Sequence, residues 1–502
     1  GVLDAVTADE RARFTTAAGQ GSARVEPLAN YAVGRVARDF RGGRSGVGGI
    51  VTATHRRLDG EMDFLRSSAY AGGVDARHRF GNHELSGAVF GSWIGGSDTA
   101  IARVQRAAGH AFHRPDADHL TYDPTRRSMA GYAAHASLGR IAGGNWRWQV
   151  YGHAFSPGLE VNDLGYHNDA DEARQYASLD YVQHRAGRLF RSWNASVAQA
   201  SDWTFAGERK DASGTASFDG QLRSHWTVGA WYVRRLGGVD TDALRGGPAL
   251  RVPGRQRASA YVRTDPRRRI RAGLSASWEA EDGTATRRGS LSPSLTIRPS
   301  QRMDVSLAPS LAWNRAAWQY VGRRADAGAA DADRYVVGRL RQTTASLTMR
   351  MDYAFTPELS LQLYASPFVS AGDYADFREV ADPRAAEFDA RFRPLGRELR
   401  ECVDAGGGVF YGVRAARDGC ATDEAGFAYR FADPDFRIGE LRSNAVLRWE
   451  YRPGSTLFVV WSSGRGTFHR DGRMQGWDDA RDLLRAPGTN VLAVKVSYWL
   501  GM

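Results

Sequence analysis

Charged side chains recur at every second position within alternating segments of this chain. One apolar residue separates Arg350 from Asp352, and one separates Arg448 from Glu450. Residues two apart along a β-strand lie on the same face, so each pair places opposite charges side by side. Such charges either pair with one another or favour anionic and hydroxyl-rich solutes along a water-filled surface. The candidate solute-contacting residues are Arg147, Arg263, Arg271, Arg350, Asp352, Arg448, Glu450 and Lys495.

Two further clusters have the residue types of metal ligands. Histidine and carboxylate side chains at such spacing bind zinc in some proteins, although a flexible connection that exposes them to solvent is the favoured explanation. These residues are His110, His113, Asp116, Asp118 and His119. The segment 162–171 is rich in oxygen ligands but lacks the calcium-loop spacing and its closing Glu, so we favour Asx-turns there. We therefore assign no metal and no cofactor.

Catalysis would need a nucleophile beside a base. His135, His153, His184 and His225 fall within alternating segments, but no sequence rule places any of them beside a particular serine. The Gly-x-Ser-x-Gly turn of the α/β-hydrolases is absent in a strand–turn–helix setting. We assign no catalytic residue, and a hydrolase site on the outer wall of a barrel remains a minor alternative.

The elements that carry these residues have a period of two. Apolar and polar residues alternate along 145–155, 301–314, 342–353 and 359–366, which is typical of β-strands with two different faces. In hydrocarbon, each unpaired backbone group costs several kcal/mol, so strands that span a membrane must close into a ring. A cation on the lipid side would cost roughly 2–4 kcal/mol, so we expect Arg350 to face the lumen.

Short and long connections between the predicted strands alternate along the chain. Tight turns with Gly, Pro, Asn or Asp are predicted near 42–44, 81–83, 142–144, 187–189, 222–224, 265–268, 298–300, 355–358 and 452–455. The long connections between them are 8–28, 98–128, 157–175, 236–253, 316–334, 371–437 and 466–489, while three near 58–65, 207–211 and 281–284 are short. This asymmetry predicts an all-β fold, a transmembrane antiparallel β-barrel of about 20 strands (18–22), with short periplasmic turns and long extracellular loops.

The composition agrees with a barrel. No apolar run is long enough for a membrane helix, although the mean hydropathy of −0.46 would by itself suggest a soluble protein. The 14 Trp and 19 Tyr suit interfacial girdles. The net charge of +11 comes from arginines that are scattered rather than gathered in a patch, which argues against nucleic-acid binding. A soluble propeller or sandwich is disfavoured because the chain shows no repeat.

The two cysteines, Cys402 and Cys420, lie in the longest connection, 371–437. Their placement suggests a disulfide made outside the cytoplasm, with two free thiols as the alternative. No plug domain precedes the barrel in this chain, so this connection is the internal candidate for an extracellular or lumen-constricting loop.

The segments Val161–Tyr166, Asp433–Phe436 and Leu441–Ser455 are distinctive. With them, the whole chain resembles a family of uncharacterised bacterial outer-membrane β-barrel domains. Members typically carry a family-9-like carbohydrate-binding module before the barrel. The resemblance implies one barrel domain over 1–502, integral to the outer membrane of a Gram-negative bacterium. Either an upstream module and the first strand or strands were trimmed away, or this member lacks them.

We therefore expect a porin-like pore or a surface receptor for uptake or capture of carbohydrate-like solutes. Its expected partners are outer-membrane lipid and a glycan or oligosaccharide. An alternative is a barrel that scaffolds or translocates a periplasmic or surface protein. The outer-wall hydrolase ranks below both, and enzymatic activity is the less favoured interpretation.

Overall fold

The computed structural model describes residues 1–16, 19–325, 333–404, 406–414, 420 and 427–500. Most of them lie in antiparallel strands, of which about 20 are long enough to match the expected barrel strands. The chain forms two compact units. Unit 1 comprises Gly1–Val182, Ala195–Ala216 and Arg235–Gly254, and unit 2 comprises Gln183–Asn194, Ser217–Arg234 and Arg255–Met502.

Unit 1 is an antiparallel meander of neighbouring strands. Its elements are β1 (Val2–Thr7), β2 (Glu10–Thr16), β3 (Gly19–Glu26), β4 (Ala29–Phe40), β5 (Ser45–Arg56), β6 (Arg66–Phe80), β7 (His83–Gly96), α1 (Asp98–Arg106), β8 (Ser128–Arg140), β9 (Trp146–Phe155) and β10 (Glu172–Gln183). Strand β1 pairs with β4, and from β4 to β10 each strand pairs with the next. Strands β2 and β3 form a separate hairpin within the connection 8–28.

Three strands are divided between the two units, and a small hairpin follows them. These strands, β11 (Phe190–Trp203), β12 (Arg209–Leu222) and β13 (Thr227–Arg235), are divided between the units, and the last residue of β10, Gln183, also belongs to unit 2. Strands β14 (Gly238–Asp240) and β15 (Leu250–Val252) pair with each other inside the connection 236–253, which therefore contains a short sheet of its own.

The two faces of the unit 1 sheet differ in chemistry. One register row carries Val36, Val74 and Val89, which are 77%, 59% and 54% exposed, and it continues through small residues of β8 and β9. The opposite face carries an in-register row of Asp75, His135, His153 and Arg174. We call the two sides the apolar face and the polar face. Exposure of large apolar side chains in rows is typical of a surface that meets a non-aqueous phase or a partner.

Helix α1 folds onto the polar face of β6 to β8. The Ser97 hydroxyl accepts the backbone N–H of Ala100 at 3.0 Å and caps the helix. Ile101 is fully buried against Ile94 of β7. The sequence predicted this segment only as part of a long outer connection, and the structure shows that its first part is a helix packed against the sheet.

Unit 2 continues the antiparallel pattern with longer strands. Its elements are β16 (Arg255–Arg263), β17 (Ile270–Glu281), β18 (Arg287–Ser300), β19 (Met303–Ala325), β20 (Asp333–Ala354), β21 (Leu359–Val380), β22 (Phe392–Pro394), β23 (Leu399–Val403), β24 (Val409–Val413), β25 (Tyr429–Ala432), β26 (Phe436–Arg452), β27 (Ser455–His469), α2 (Trp477–Arg485) and β28 (Gly488–Ser497). Strands β16 to β21 pair in chain order, and β21, β26, β27 and β28 then pair in turn.

A continuous apolar row crosses seven strands of unit 2. Cross-strand pairing aligns Ile297, Val305, Met351, Leu363, Ala445, Trp461 and Leu492. Leu363, Trp461 and Leu492 are 38%, 42% and 71% exposed, so the row is not the inside of a protein core. The alternation that the sequence predicts along 342–353 and 359–366 therefore separates an exposed apolar face from a polar face. Met349 and Leu363 are both exposed and so lie outside a protein interior.

Strands β19 to β21 are longer than the sequence predicts. Their register continues past the predicted ends, although 326–332, within the predicted connection 316–334, lies outside the described residues. Within 371–437, β23, β24 and β25 form a small sheet whose buried side chains, including Val413 and Phe431, pack with Phe377 of β21. Parts of that connection (405, 415–419 and 421–426) also lie outside the described residues.

The predicted short turns join paired strands, although the turn predicted at 298–300 lies at 301–302 because β18 continues to Ser300. Strands β26 and β27, for example, are joined by Pro453 and Gly454 alone, and Gly454 has a φ of +76°, which favours glycine. Among the described residues, no helix has the length and apolar character needed to cross a membrane.

Candidate functional site

The residues predicted to contact solute lie on the polar faces. In unit 2, Arg271 donates to Asp304 at 2.7 Å, which ties neighbouring parts of the sheet together. The Arg350 guanidinium lies over the Tyr364 ring, 5.5 Å from its centroid, rather than against Asp352. Asp352 is exposed and has no ion-pair partner among the described residues. Arg350 and Asp352, for which pairing was one of two alternatives, therefore form no ion pair, because a cross-strand ring occupies the arginine.

The second predicted pair forms. Arg448 donates to Glu450 at 2.8 Å, and Glu450 also accepts the backbone N–H of Gly454 at 3.2 Å, so this pair supports the turn between β26 and β27. Lys495 is an exposed residue of β28 opposite Phe458 and forms no ion pair within the described part of the chain.

Arg147 and Arg263 have local roles. Arg147 of unit 1 donates to the backbone carbonyls of Gly143 and Gly144 at 2.8 and 3.0 Å, which fastens the preceding turn. Arg263 of unit 2 lies over the Tyr261 ring, 4.5 Å from its centroid. The predicted residues therefore share a type of face, but the structure does not gather them into one site.

A denser cluster on the polar face of unit 2 was missed at the sequence level. Cross-strand register aligns five side chains, which we call the polar belt: Arg257, Glu279, Arg288, Asn314 and Gln342. They line a cavity of about 320 Å³ together with serine and threonine side chains. Each belongs to a different strand, so only the register brings them together.

Hydrogen bonds connect the belt. Arg288 donates to Glu279 at 2.6 Å and to the Asn314 side-chain oxygen at 2.9 Å. The Gln342 amide donates to the Ser370 hydroxyl at 3.0 Å. Because these side chains hold one another in place, their remaining donors and acceptors have fixed positions toward the open side of the cavity. Arg257 is exposed and forms no ion pair among the described residues.

In unit 1 the long connections fold together above the polar face. His110 Nε2 lies 3.1 Å from a Glu160 carboxylate oxygen, and the His119 and Asp171 side chains meet at 2.9 Å. The Glu160 backbone N–H donates to the Ser92 hydroxyl of β7 at 3.0 Å, which fixes the connection to the sheet. Two of the three histidines that suggested a metal site, His110 and His119, therefore each pair with one carboxylate, while the His113 ring contacts the Tyr122 ring. Within the described residues, no group of three or more His, Cys, Asp or Glu side chains is arranged to hold a metal ion.

The carboxylates of this cluster, Glu160 and Asp163, interact with nearby basic side chains. Burial alone would raise the pKa of Glu160, but the His110 hydrogen bond, the backbone N–H of Asn162 and the Arg66 charge together lower that pKa to about 2. Arg56 and Arg66 approach the Asp163 carboxylate at 2.5 and 3.0 Å. The segment 162–171 therefore binds strand side chains through its carboxylates. Its Asn162 side chain also accepts the backbone N–H of His167 at 2.7 Å.

A cavity of about 510 Å³ opens beside this cluster, and we call it the α1 cavity. Helix α1 forms one wall, and the start of β4, the end of β5 and the start of β6 form the others. Aromatic and charged side chains line it together: Tyr31, Arg56, Phe64, Arg66, Arg103 and Glu160.

A disulfide joins Cys402 of β23 to Cys420, with the two Cα atoms 5.7 Å apart. It encloses the β24 strand of the small sheet. One Ser–His contact occurs on the apolar side of β5 and β6, where the Ser45 hydroxyl lies 2.8 Å from His78 Nδ1. Among the described residues, no carboxylate contacts His78 to complete a triad.

A family model for a domain of unknown function (DUF5916) matches residues 1–387 of the chain. The chain belongs to this family. The predicted resemblance to an uncharacterised domain family is thereby confirmed. The match includes 161–166 but ends before 433–455. The association of DUF5916 domains with a carbohydrate-binding module stays a prediction.

No curated protein matches this DUF5916 chain. Among solved structures, it is similar to the siderophore receptor PirA from Acinetobacter baumannii, with 10% sequence identity and a TM-score of 0.36. The similarity covers 94% of this chain and 71% of the receptor chain.

Proposed function

We propose that this chain is an outer-membrane β-barrel that passes or captures carbohydrate-like solutes. The observation that carries the proposal is the two-faced sheet of unit 2. Its apolar row runs across seven strands with large side chains exposed, and its other face carries the polar belt and serine and threonine residues. A closed ring of such strands satisfies every backbone group while it presents apolar side chains to lipid and polar side chains to a water-filled lumen.

The dimensions of the apolar face support a membrane span. On β20, the apolar side chains of that face run from Ala345 to Tyr353, with Thr343 before them and Arg341 beyond. From Ala345 to Tyr353 the strand rises roughly 27 Å, and from Thr343 to Tyr353 roughly 34 Å, which a tilt of about 45° reduces to about 19 Å and about 24 Å along the membrane normal. Barrel proteins have an apolar band of about 25 Å. Arg341 would then lie at the interface, where a cation is tolerated.

The solute class follows from the belt. Its side chains are two arginines, one glutamate and two amides, so hydrogen-bond donors and acceptors alternate around the cavity. A hydroxyl group donates and accepts at once, and a hydroxyl-rich solute can exchange its hydration for such contacts. A strongly charged solute of either sign would meet a like charge.

Single-channel recording in a planar bilayer tests this proposal. We expect conductance that neutral oligosaccharides reduce in a concentration-dependent way. Replacement of one of the two belt arginines, Arg288→Met, removes charged hydrogen-bond donors, each of which contributes roughly 1.5–3 kcal/mol. We therefore expect the block by oligosaccharides to weaken about tenfold. The matched control is Arg298→Met on the same strand and face, where the arginine pairs with Asp304 outside the belt.

Absence of both conductance and oligosaccharide binding would remove the pore and the receptor forms of the proposal. A stable co-purifying protein together with silent solute assays would favour the scaffold or translocation alternative.

A further inference from the structure

The α1 cavity differs from the polar belt in having aromatic walls. The Arg56 guanidinium lies over the Tyr31 ring at 5.7 Å from its centroid, and the Arg103 guanidinium lies over the Phe64 ring at 5.2 Å. A guanidinium over a ring face is favourable and holds the ring in place. The cavity therefore has two positioned rings as well as the aliphatic surface of α1, to which Ala100 and Val104 contribute.

Buried partners hold the polar groups of the cavity. Arg56 and Arg66 both contact Asp163, whose side chain is 4% exposed, and Glu160 is 5% exposed and contacts His110. These groups cannot turn away to solvent without leaving a buried charge unpaired, which is costly. Arg103 differs, since it is exposed and forms no ion pair among the described residues.

This combination selects one chemical class of ligand. Three arginines disfavour a cation, Glu160 and Glu26 disfavour a strongly anionic group, and fixed polar atoms disfavour a purely apolar molecule. A pyranose ring has C–H faces that pack on aromatic and aliphatic side chains. Its hydroxyl groups accept hydrogen bonds from guanidinium N–H groups and donate hydrogen bonds to carboxylate oxygens. The volume of about 510 Å³ lies in the range of small-molecule sites, about 300–1,000 Å³.

We propose that the α1 cavity is a binding site for a short neutral saccharide, with Phe64 and Tyr31 as apolar platforms and Arg103 as a hydroxyl-contacting side chain. The inference deepens the proposed function and rests on it for the class of solute. The site would capture the solute at the long-connection end of unit 1, whereas the polar belt belongs to unit 2.

Isothermal titration of the full chain in detergent tests this inference, with maltose and cellobiose as neutral probes and glucuronate and inorganic phosphate as charged comparisons. We expect at least one neutral disaccharide to bind more tightly than either anion. Arg103→Ala and Phe64→Leu should each weaken that binding about tenfold. Phe64→Leu keeps an apolar side chain, so the loss would report on the ring itself.

The matched control is Arg106→Ala. Arg106 belongs to the last turn of the same helix, is exposed, and also lies over an aromatic ring, that of Tyr122, at 4.8 Å, but it does not line the cavity. We expect it to bind the disaccharide as the unchanged chain does. Circular dichroism of all variants establishes that each is folded.

Unchanged saccharide affinity in folded Arg103→Ala and Phe64→Leu overturns the inference, and so does tighter binding of the anions or no binding of either disaccharide. If the chain conducts and its conductance responds to oligosaccharides while both cavity variants behave as the unchanged chain, the cavity assignment fails and the proposed function stands. If the cavity binds saccharide and no conductance is found, the cavity assignment stands and only the pore form of the function fails.

Discussion

Replacement of Leu347 by Arg tests which face of β20 meets hydrocarbon. Leu347 lies midway between Arg341 and Tyr353 on the apolar face, opposite Pro309 of β19. If this face contacts lipid, position 347 is near the middle of the membrane. The neighbouring polar-face residue Thr348, opposite Ala308, should then face water.

The expected magnitude follows from depth. An arginine on the lipid face costs about 2–4 kcal/mol at the bilayer midplane and about 0–1 kcal/mol near the interfaces. Leu347→Arg should therefore lower the free energy of unfolding in lipid by about 2–4 kcal/mol, which is roughly a 30- to 700-fold change in the folding equilibrium. Thr348→Arg places the same side chain one residue away on the other face, and we expect its cost to stay below about 1 kcal/mol.

Denaturant titration of the chain folded into liposomes, followed by tryptophan fluorescence, measures both variants. Comparison of the two midpoints removes effects of arginine that do not depend on the face. Equal costs for the two variants, or a larger cost for Thr348→Arg, would refute the assignment of the apolar face to lipid. A small cost for both would show that this part of β20 lies outside the membrane.

Three other outcomes are expected. Loss of the Cys402–Cys420 disulfide through Cys402→Ser should destabilise the small sheet by about 3 kcal/mol, the value for a loop of this size, and limited proteolysis should then cut that sheet first while the long strands stay protected. The depressed pKa of Glu160 contributes stability that is fully present above its unfolded-state pKa of about 4.5 and is lost as the pH falls toward about 2. Hydrogen exchange in 156–171 should therefore rise in that window, and Glu160→Gln should reduce this pH dependence. Ile101→Ala should remove roughly 2–5 kcal/mol of packing between α1 and the polar face, so hydrogen exchange over 98–106 should rise, whereas unchanged exchange would show that Ile101 does not hold α1 against the sheet.

The strand pattern was predictable because its cause is local. An apolar residue at every second position is visible without knowledge of any partner strand, and the short turns carry their own residue types, as Pro453 and Gly454 show. The two helices were missed although α1 has a helix start signal, Ser97 followed by Asp98. Its apolar residues are few, so the signal was outweighed by the long connection around it.

The predicted site residues illustrate the limit of reasoning within one strand. Arg448 and Glu450 pair, and among the described residues no ring lies over the Arg448 guanidinium to compete with the carboxylate. Arg350 and Asp352 have the same spacing, but Tyr364 of the neighbouring strand offers the guanidinium a ring face. Whether such a pair forms therefore depends on the residue of the neighbouring strand, and the spacing along one strand does not reveal that residue.

The two candidate sites differ in how far they follow from the sequence in principle. In an antiparallel hairpin the turn and any bulge beside it determine which residues face each other, so the short turn between β18 and β19 and the register shift between Ile297 and Ser300 together set Arg288 opposite Asn314. Two of the four cross-strand pairings in the belt, Arg257 with Glu279 and Arg288 with Asn314, are therefore across short turns that the sequence predicts. The other two pairings are across the connections at the opposite ends of the strands. The α1 cavity does not follow from any short turn. It forms where long connections pack against the sheet and bury Ile101 and Glu160. The entropy cost of closing a loop grows only slowly with its length, so the length of a connection does not determine the path that the connection takes. The packing contacts that determine this path exist only in the folded chain.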